Sequence, residues 1–289
     1  RNKVTFQVDH KIGFYEKKSR EIVSVDCCMI AQPKINHILA KLKMLPMSHI
    51  NQIVIRTDTQ LDETMVVIKT TGKIKDQLFV KALKEDVTSI VKLDQAKLTV
   101  LHGLKQIKMK LGDYTFWLSP TSFFQVNSKQ CEQLYEQVWQ YANITQQDIV
   151  LDLYCGTGTI GIYLSKFAKH VYGIEINQAA IACANENKKL NAISNITFQA
   201  GDVGRVIKQL KIQPDVVIVD PPRAGLDVAT KGQLLKCQPR TIVYVSCDPV
   251  TLARDLKELS LRYNIQAITP VDMFPQTYHV ECVCVLERR

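Results

Sequence analysis

The sequence lacks any long hydrophobic run. No apolar stretch approaches the roughly 20 residues that a membrane-spanning helix needs, and no basic segment followed by an apolar one opens the chain as a secretory leader would. The 289 residues include only 12 Gly and 10 Pro, and they contain no repeat, which excludes collagen-like and low-complexity chains. These absences predict a soluble globular protein of about two domains with no membrane association.

Cysteine is plentiful, but its pattern does not fit a disulfide framework. The count of nine is odd, Cys27 and Cys28 are adjacent, and Cys282 and Cys284 alternate within an apolar run. No pair has the C-x-x-C spacing of a self-contained zinc site. In a chain of this length without a leader, we expect reduced thiols and a cytoplasmic location. The missing initial Met predicts a fragment of a longer protein.

The positive charge is concentrated in the first part of the chain. Lys and Arg number 37 against 28 Asp and Glu, which gives a net charge of +9. Residues 1–118 hold 20 basic and 12 acidic residues, whereas residues 119–289 hold 17 and 16. This asymmetry is typical of a polyanion-binding module followed by a near-neutral one, and equally of a lysine-rich solvated surface.

Residues 1–118 are predicted to form a smaller, basic α+β domain. Apolar residues between Pro33 and Leu45 recur at helical spacing. Apolar residues of the segment 107–111 alternate with Lys108 and Lys110, which in a strand gives one wet, basic face. Three short β-branched segments predict strands, and these are Val4–Val8, Ile53–Arg56 and Thr64–Ile68.

Residues 119–289 are predicted to form a Rossmann-like α/β domain. A helix cap at Asn127-Ser128 precedes apolar residues at helical spacing, namely Cys131, Leu134, Tyr135, Val138 and Ala142. Helical segments then separate short apolar runs at 149–153, 171–176, 196–199, 216–219, 242–245 and 282–286. Apolar strands interleaved with helices predict a doubly wound, mostly parallel sheet, which binds ligands at the carboxyl ends of its strands.

A glycine-rich turn follows the first of these strands. Gly156, Gly158 and Gly161 match the G-x-G-x-x-G pattern of dinucleotide-binding loops. Asp152 lies before the glycines, where it would repel a pyrophosphate but suit a cationic or zwitterionic ligand. Glu175, at the tip of the second strand, can accept hydrogen bonds from ribose hydroxyls. S-adenosylmethionine fits both acids and NAD fits only Glu175, so the methyl donor is favoured over a nicotinamide cofactor or a purely structural turn.

Two further acids follow the third and fourth strands. Asp202 is equally suited to contact an adenine amino group or to cap the next helix. The segment Asp220-Pro221-Pro222-Arg223 is more specific, because two prolines fix the backbone and aim the Asp220 carboxylate into the crevice. Arg223 can contact a phosphate or a base carbonyl, or form a salt bridge.

A cysteine and a carboxylate are the candidate catalytic groups. Cys247 precedes Asp248 and Pro249, a natural helix N-cap and first helical residue, and the positive end of a helix favours a thiolate. Glu281 begins the last strand, where pairing near the sheet centre would make an unpaired carboxylate costly unless it has a function. His279 is an alternative base or a capping residue.

These motifs together resemble those of the RNA uracil-C5 methyltransferases. The resemblance covers residues 119–289 closely, and Arg1-Asn2-Lys3 with the basic sheet resembles that family's central domain more weakly. The motifs that carry it are Phe123-Phe124-Gln125-Val126-Asn127, Asp152–Gly158, Asp220–Arg223, Ser246-Cys247-Asp248-Pro249 with Leu252–Asp255, and His279-Val280-Glu281.

The resemblance implies a role for each matching residue. Ribosomal members of the family carry an N-terminal β-barrel, absent here, and many hold an iron–sulfur cluster with four cysteines. Cys28 resembles the last of these four, so a [4Fe-4S] cluster is expected only in an intact, longer protein, and this chain alone is expected to hold no metal. The implied S-adenosylmethionine-binding residues are Gln125, Tyr154, Glu175 and Asp220, the implied nucleophile is Cys247, and the implied base is Glu281.

The implied reaction explains this choice of residues. Addition of the Cys247 thiolate to C6 of uracil makes C5 nucleophilic enough to take a methyl group, and Glu281 then removes the C5 proton. The related cytosine-C5 enzymes carry a cysteine where this chain has Arg223. The target base must leave its stack, so we expect a loop or a flipped nucleotide, with Lys105, Lys108 and Lys110 contacting the RNA backbone.

The sequence therefore predicts a monomeric, S-adenosylmethionine-dependent enzyme that forms 5-methyluridine in RNA. The Cys28 match favours 23S ribosomal RNA over transfer RNA as the substrate. A tRNA uracil-C5 methyltransferase, an NAD-dependent oxidoreductase and a catalytically silent RNA-binding module are the alternatives.

Overall fold

A computed structural model describes residues 1–289, which form two compact units, Arg1–Ser128 and Lys129–Arg289. The sequence places the boundary after residue 118, whereas residues 119–128 belong to the first unit. Side chains near its start hold this segment: the Asn2 amide donates to the Gln125 carbonyl at 3.1 Å and to Ser128 Oγ at 2.9 Å, and Arg56 donates to the Ser122 carbonyl at 2.8 Å. None of the helices has the length and apolar character required to cross a bilayer.

The first unit is an α+β fold. Its strands are β1 (Lys3–Asp9), β2 (Lys11–Tyr15), β3 (Ile22–Ser24), β4 (Ile50–Asp58), β5 (Glu63–Thr70), β6 (Ser89–Asp94), β7 (Lys97–Gly103), β8 (Ile107–Leu111) and β9 (Tyr114–Leu118), and its helices are α1 (Pro33–Leu42) and α2 (Asp76–Leu83). Seven strands form one sheet in the order β3-β2-β1-β4-β5-β6-β7. Every neighbouring pair is antiparallel except β5 and β6.

One face of this sheet carries the core of the first unit. The alternate strand residues Phe6, Ile53 and Ile55 pack with Ile38 of α1 and Phe79 of α2, and all five are fully buried. The period-two alternation of β1 therefore places Val4, Phe6 and Val8 under the helices and its polar side chains on the opposite face.

A separate hairpin, β8–β9, lies against the other face. The alternation predicted for 107–111 is confirmed, because its apolar residues are buried and Lys108 and Lys110 are partly exposed. Backbone amides fasten the hairpin: that of Lys108 donates to Glu63 at 2.8 Å, and that of Lys110 donates to Asp58 at 2.7 Å.

The second unit is the doubly wound α/β fold expected from the sequence. Its strands are β10 (Ile149–Leu153), β11 (His170–Glu175), β12 (Ile196–Ala200), β13 (Val216–Val219), β14 (Thr241–Ser246), β15 (Tyr263–Val271) and β16 (Glu281–Arg288). Its helices are α3 (Ser128–Ala142), which begins at the last residue of the first unit, α4 (Thr159–Ser165), α5 (Gln178–Leu190), α6 (Val203–Gln209), α7 (Val228–Cys237) and α8 (Pro249–Leu259). The sheet order is β12-β11-β10-β13-β14-β16-β15.

Helices cover both faces of this sheet. Leu151 and Leu153 of β10 pack in one cluster with apolar residues of α6, α7 and α8. Asp152 points to the opposite face, as strand alternation requires, and there it lies against Gly161 of α4. The five residues predicted as the apolar stripe of α3 are its buried residues.

The far edge of the sheet differs from the expectation. Strands β10 to β14 are parallel, whereas β16 runs antiparallel between β14 and β15. Glu281 therefore begins a strand one place from the edge, not near the centre. The antiparallel direction places the start of β16 at the carboxyl ends of the parallel strands, where the site residues lie.

Candidate active site

The glycine loop after β10 has a backbone that few side chains could adopt. Gly156 and Gly158 have positive φ angles of 54° and 83°, and Tyr154 also has a positive φ of 63°. A Cβ atom on Gly158 would lie 2.5 Å from Cζ of Phe198, whereas one on Gly156 would meet nothing within 4 Å. The loop is therefore closely packed beneath Gly158 and open above Gly156.

Glu175 ends β11 beside this loop. One carboxylate oxygen accepts the Asn177 amide at 2.9 Å, and the other accepts the Gly156 amide at 3.3 Å. Two backbone donors thus fix the partly exposed carboxylate. Each oxygen keeps a lone pair for a hydroxyl donor, which is the property expected of a ribose-binding acid.

Asp152 is fully buried at the carboxyl end of β10. Its Oδ2 accepts the Gly161 amide at 2.8 Å, while its Oδ1 has no hydrogen-bond partner. Burial, against the Gly161 hydrogen bond and with the charges of Asp220 and Glu175 added to it, raises the pKa of Asp152 to about 8. A buried carboxyl with an unpaired oxygen lacks a partner within the protein, and a cation bound beside it would favour its charged form.

Tyr154 and Asp202, which lie near the loop, form hydrogen bonds within the protein. The Tyr154 hydroxyl donates to Asp227 at 3.1 Å, at the N-terminus of α7, and burial raises its pKa. Asp202 accepts the Arg205 amide at 2.9 Å and caps α6. Of its two predicted roles, helix capping and contact with an adenine amino group, the structure shows the capping. Gln125 lies in the first unit with a partly exposed side chain.

Cys247 and Glu281 lie at the ends of adjacent strands. Ser246 of β14 pairs with Cys282 of β16, so Cys247, which directly follows β14, faces the preceding residue of β16, Glu281. Asp248 caps α8 by accepting the amides of Val250 and Thr251 at 2.9 and 3.1 Å, as the sequence indicated. Cys247 is partly exposed at the start of this cap.

The charges around Cys247 oppose ionisation of its thiol. Burial raises the pKa of Cys247, and the charges of Glu281 and Asp220 raise it further, while Arg223 lowers it. The positive end of α8 is thus offset by two nearby carboxyl groups. A base or a positive charge at this site would be needed to generate a thiolate.

Glu281 and Asp220 share the same environment. Glu281 is only 6% exposed, and burial with the Asp220 charge raises its pKa to about 7, against the effect of Arg223. Burial also raises the pKa of Asp220 to about 7. The Arg223 guanidinium lies 3.4 Å from Nδ1 of His279, so this histidine contacts the one cation among these groups. The site therefore combines a thiol with two carboxyl groups that titrate near neutral pH.

A buried polar network beneath this site escaped the sequence analysis. Asp255 of α8 is fully buried and accepts the Leu226 amide at 2.7 Å and the Tyr244 hydroxyl at 2.9 Å. Lys231 of α7 lies 3.4 Å from it, and Arg254 lies 2.9 Å away. The motif Leu252–Asp255 contained the acid, but only the packing of α7, α8 and β14 shows what it binds.

Comparisons with known proteins identify the family. The model of the tRNA (uracil-5-)-methyltransferase family matches residues 7–289. The chain belongs to this family. An uncharacterized RNA methyltransferase of Staphylococcus epidermidis is 39% identical over 96% of this chain and 68% of its own length. One of Staphylococcus aureus is 40% identical over 95% and 67%.

Solved structures agree with this family assignment. The Pyrococcus abyssi tRNA (uracil-54, C5)-methyltransferase, solved with S-adenosyl-L-homocysteine, is 32% identical, with a TM-score of 0.84 over 99% of this chain and 74% of that one. The Methanocaldococcus jannaschii tRNA m1G37 methyltransferase is 18% identical with a TM-score of 0.54 over 78% and 72%, which shows the fold alone. The chain is thus an RNA methyltransferase, as predicted, and the alternative of a nicotinamide-dependent oxidoreductase was wrong.

No group of three or more His, Cys, Asp or Glu side chains is arranged to hold a metal ion. Cys28 is buried, and its backbone amide donates to the Asn36 side chain at 2.8 Å. Nothing in its surroundings supports an iron–sulfur cluster.

Proposed function

We propose that this protein transfers a methyl group from S-adenosylmethionine to C5 of a uridine in RNA through a covalent adduct of Cys247. The observation that carries the proposal is the pairing of β14 with β16, which brings the Cys247 thiol and the Glu281 carboxyl to adjacent strand ends. One nucleophile and one base are the two groups that the reaction needs from the protein.

Cys247 starts the reaction. Its thiolate adds to C6 of the uracil ring, and the electrons of the C5–C6 double bond move toward the C4 oxygen, which leaves C5 electron-rich. Arg223 supports this step because its charge lowers the pKa of the thiol. A positive charge near the base also stabilises the oxygen on which negative charge develops.

Glu281 completes the reaction. Once C5 carries both a methyl group and a proton, the Glu281 carboxylate takes the proton, the C5–C6 double bond re-forms, and the bond between C6 and the Cys247 sulfur breaks. A pKa of about 7 suits this task, because a base that titrates near the working pH is both available and strong enough to remove the proton.

The residues around the glycine loop fit S-adenosylmethionine, which supplies the methyl group as a sulfonium cation when it is bound. Glu175 is fixed to accept hydrogen bonds from its ribose hydroxyls. The carboxyls of Asp152 and Asp220 have pKa values that burial raises to about 8 and about 7, and a bound sulfonium cation would favour their charged forms. Gln125 and Tyr154 are the further proposed contacts, on the resemblance alone.

The RNA substrate has two candidates. Ribosomal RNA is the prediction from the Cys28 match, and a [4Fe-4S] cluster in a longer chain remains part of that prediction. Transfer RNA is favoured by the Pyrococcus abyssi structure, whose name specifies uracil-54 of tRNA. We propose a monomer that acts in the cytoplasm on a flipped or unpaired uridine.

The test replaces the nucleophile and measures two properties. Cys247→Ala should abolish tritium release from RNA that carries [5-³H]uridine, yet bind S-adenosylhomocysteine as the wild type does in calorimetry. Cys237→Ala is the matched control, since Cys237 is a partly exposed cysteine of α7 remote from the strand ends. Normal release by Cys247→Ala would refute the adduct, and parallel assays with 23S rRNA and tRNA transcripts would identify the substrate.

A further inference from the structure

Three cations project from the face of the first unit's sheet that is opposite α1 and α2, the face against which the β8–β9 hairpin lies. Lys3 of β1 pairs directly with Arg56 of β4, so both side chains project from the same face. Arg56 pairs with Met65 of β5, and Lys69 lies four residues further along β5, on the same face again. We call Lys3, Arg56 and Lys69 the cationic cluster.

The cationic cluster has no acidic partner. Lys3 and Lys69 make neither a hydrogen bond nor an ion pair through their side chains, and Arg56 uses one donor, to the Ser122 carbonyl, of the five that a guanidinium has. The carboxylates on the same face are already engaged: Asp58 accepts three backbone amides, and Glu63 accepts the Lys108 amide. Asp9, at the far end of β1 from Lys3, lies 3.5 Å from His10. None of these carboxylates forms a salt bridge with the cluster.

This arrangement is unfavourable unless an anion is added. Like charges directly opposite each other on antiparallel strands repel, and burying a cation without a counter-charge costs free energy. Arg56 is only 4% exposed. Burial, together with the charges of Arg56 and Lys69, lowers the pKa of Lys3 to about 8, and burial lowers that of Arg56 to about 10.

The surroundings of the cationic cluster identify the kind of anion. Lys3 and Lys69 remain partly exposed and can reach a ligand. Thr5, Gln7 and Gln52 lie on the same face, are also partly exposed, and are neutral hydrogen-bonding groups. Two ammonium groups can donate to the oxygens of a phosphate, and the buried Arg56 guanidinium adds to the positive charge that attracts it.

We propose that Lys3 and Lys69, supported by the buried charge of Arg56 between β1 and β5, bind a phosphate of the substrate RNA backbone. This site rests on the proposed function for the identity of its ligand. Because phosphate contacts position an RNA without reading its sequence, the cationic cluster would hold the RNA while the strand ends of the second unit supply the chemistry. It extends the basic surface beyond the lysines of β8.

The experiment measures RNA affinity as a function of salt. Lys3→Gln and Lys69→Gln should each weaken binding of a fluorescent RNA about five- to tenfold in anisotropy titrations, to the same extent for different sequences. The slope of log K against log salt concentration should become shallower by roughly one for each phosphate that the variant no longer neutralises. Arg56 is left in place because it also holds the Ser122 carbonyl. Lys97→Gln is the matched control, since this exposed lysine of edge strand β7 has no partner either, and it should change neither quantity.

Activity separates this site from the catalytic proposal. Both variants should raise KM for RNA and leave kcat and S-adenosylhomocysteine affinity unchanged, and Lys69→Arg should retain the wild-type KM. RNA affinities and salt slopes equal to those of Lys97→Gln would overturn the site. A site that binds only small anions would also overturn the proposal. In that case inorganic phosphate, tested at constant ionic strength, would bind to the wild type and not to the variants, while RNA affinity would be the same in all of them. Weaker RNA binding by the variants, with no tritium release by the wild type, would uphold the RNA site and refute the proposed function.

Discussion

Removal of the C5 proton should depend on pH through Glu281. Burial and the neighbouring Asp220 charge raise the pKa of Glu281 to about 7, so at pH 6 about a tenth of the carboxyl is ionised and at pH 8 about nine-tenths. The rate of this step should therefore rise about tenfold between pH 6 and pH 8 and level off above that. The thiol does not contribute to this rise, because in the adduct its sulfur is already bonded to C6.

The decay of the covalent adduct isolates this step. A single turnover started at pH 6 builds up the adduct, a pH jump starts its decay, and a denaturing gel measures the protein–RNA band at each time. Glu281→Gln should keep the band at every pH. Glu287→Gln, which changes an exposed glutamate of the same strand, should behave like the wild type. A decay rate that is flat from pH 6 to 8, or normal decay in Glu281→Gln, would show that another group removes the proton.

Three further predictions concern stability. Gly158→Ala should lower the free energy of unfolding by about 1–3 kcal/mol in urea denaturation, because of its positive φ and the contact with Phe198, whereas Gly232→Ala, in open space on α7, should raise it by about 0.5–1 kcal/mol; equal effects would contradict the loop geometry. Asp152 has a folded pKa of about 8, above its unfolded value, so the folded state holds the proton more tightly than the unfolded state does. The free energy of unfolding should therefore fall as pH rises from about 4 to 8, by at most about 1.4 kcal/mol per pH unit. Asp152→Asn should reduce that fall, and an unchanged pH profile in this variant would contradict the prediction. Asp255→Ala should cost about 3–5 kcal/mol by leaving buried donors unpaired, and a decrease under 1 kcal/mol would be inconsistent with the network.

The regular elements could be predicted from the sequence because their patterns are local. The apolar stripe of α3 and the alternation of β8 each lie within one element, and the period of the pattern decides which side chains are buried. Strand β15 gave no such signal. Most of its residues are exposed on an edge, and the strand contains Pro270 and an irregularity between Ile265 and Ala267, so no apolar period marks it.

The sequence names candidate site residues, but it does not describe their surroundings. The sequence indicated a cationic ligand near Asp152, but its full burial and unpaired oxygen depend on how α4 packs against β10. The contact of Arg223 with His279 and that of Tyr154 with α7 join residues far apart in the chain. Such contacts depend on tertiary packing, which no local pattern encodes.

The meeting of thiol and base depends on a single reversed strand. A parallel strand in the place of β16 would begin at the opposite end of the sheet from the end of β14, and its first residue could not approach Cys247. Because β16 is antiparallel, its start lies at the carboxyl end of β14, and the register of Ser246 with Cys282 puts Glu281 beside Cys247. A shift of that register by one residue would turn Glu281 to the other face of the sheet. The pairing of these two strands is therefore as necessary to the proposed chemistry as the two side chains themselves.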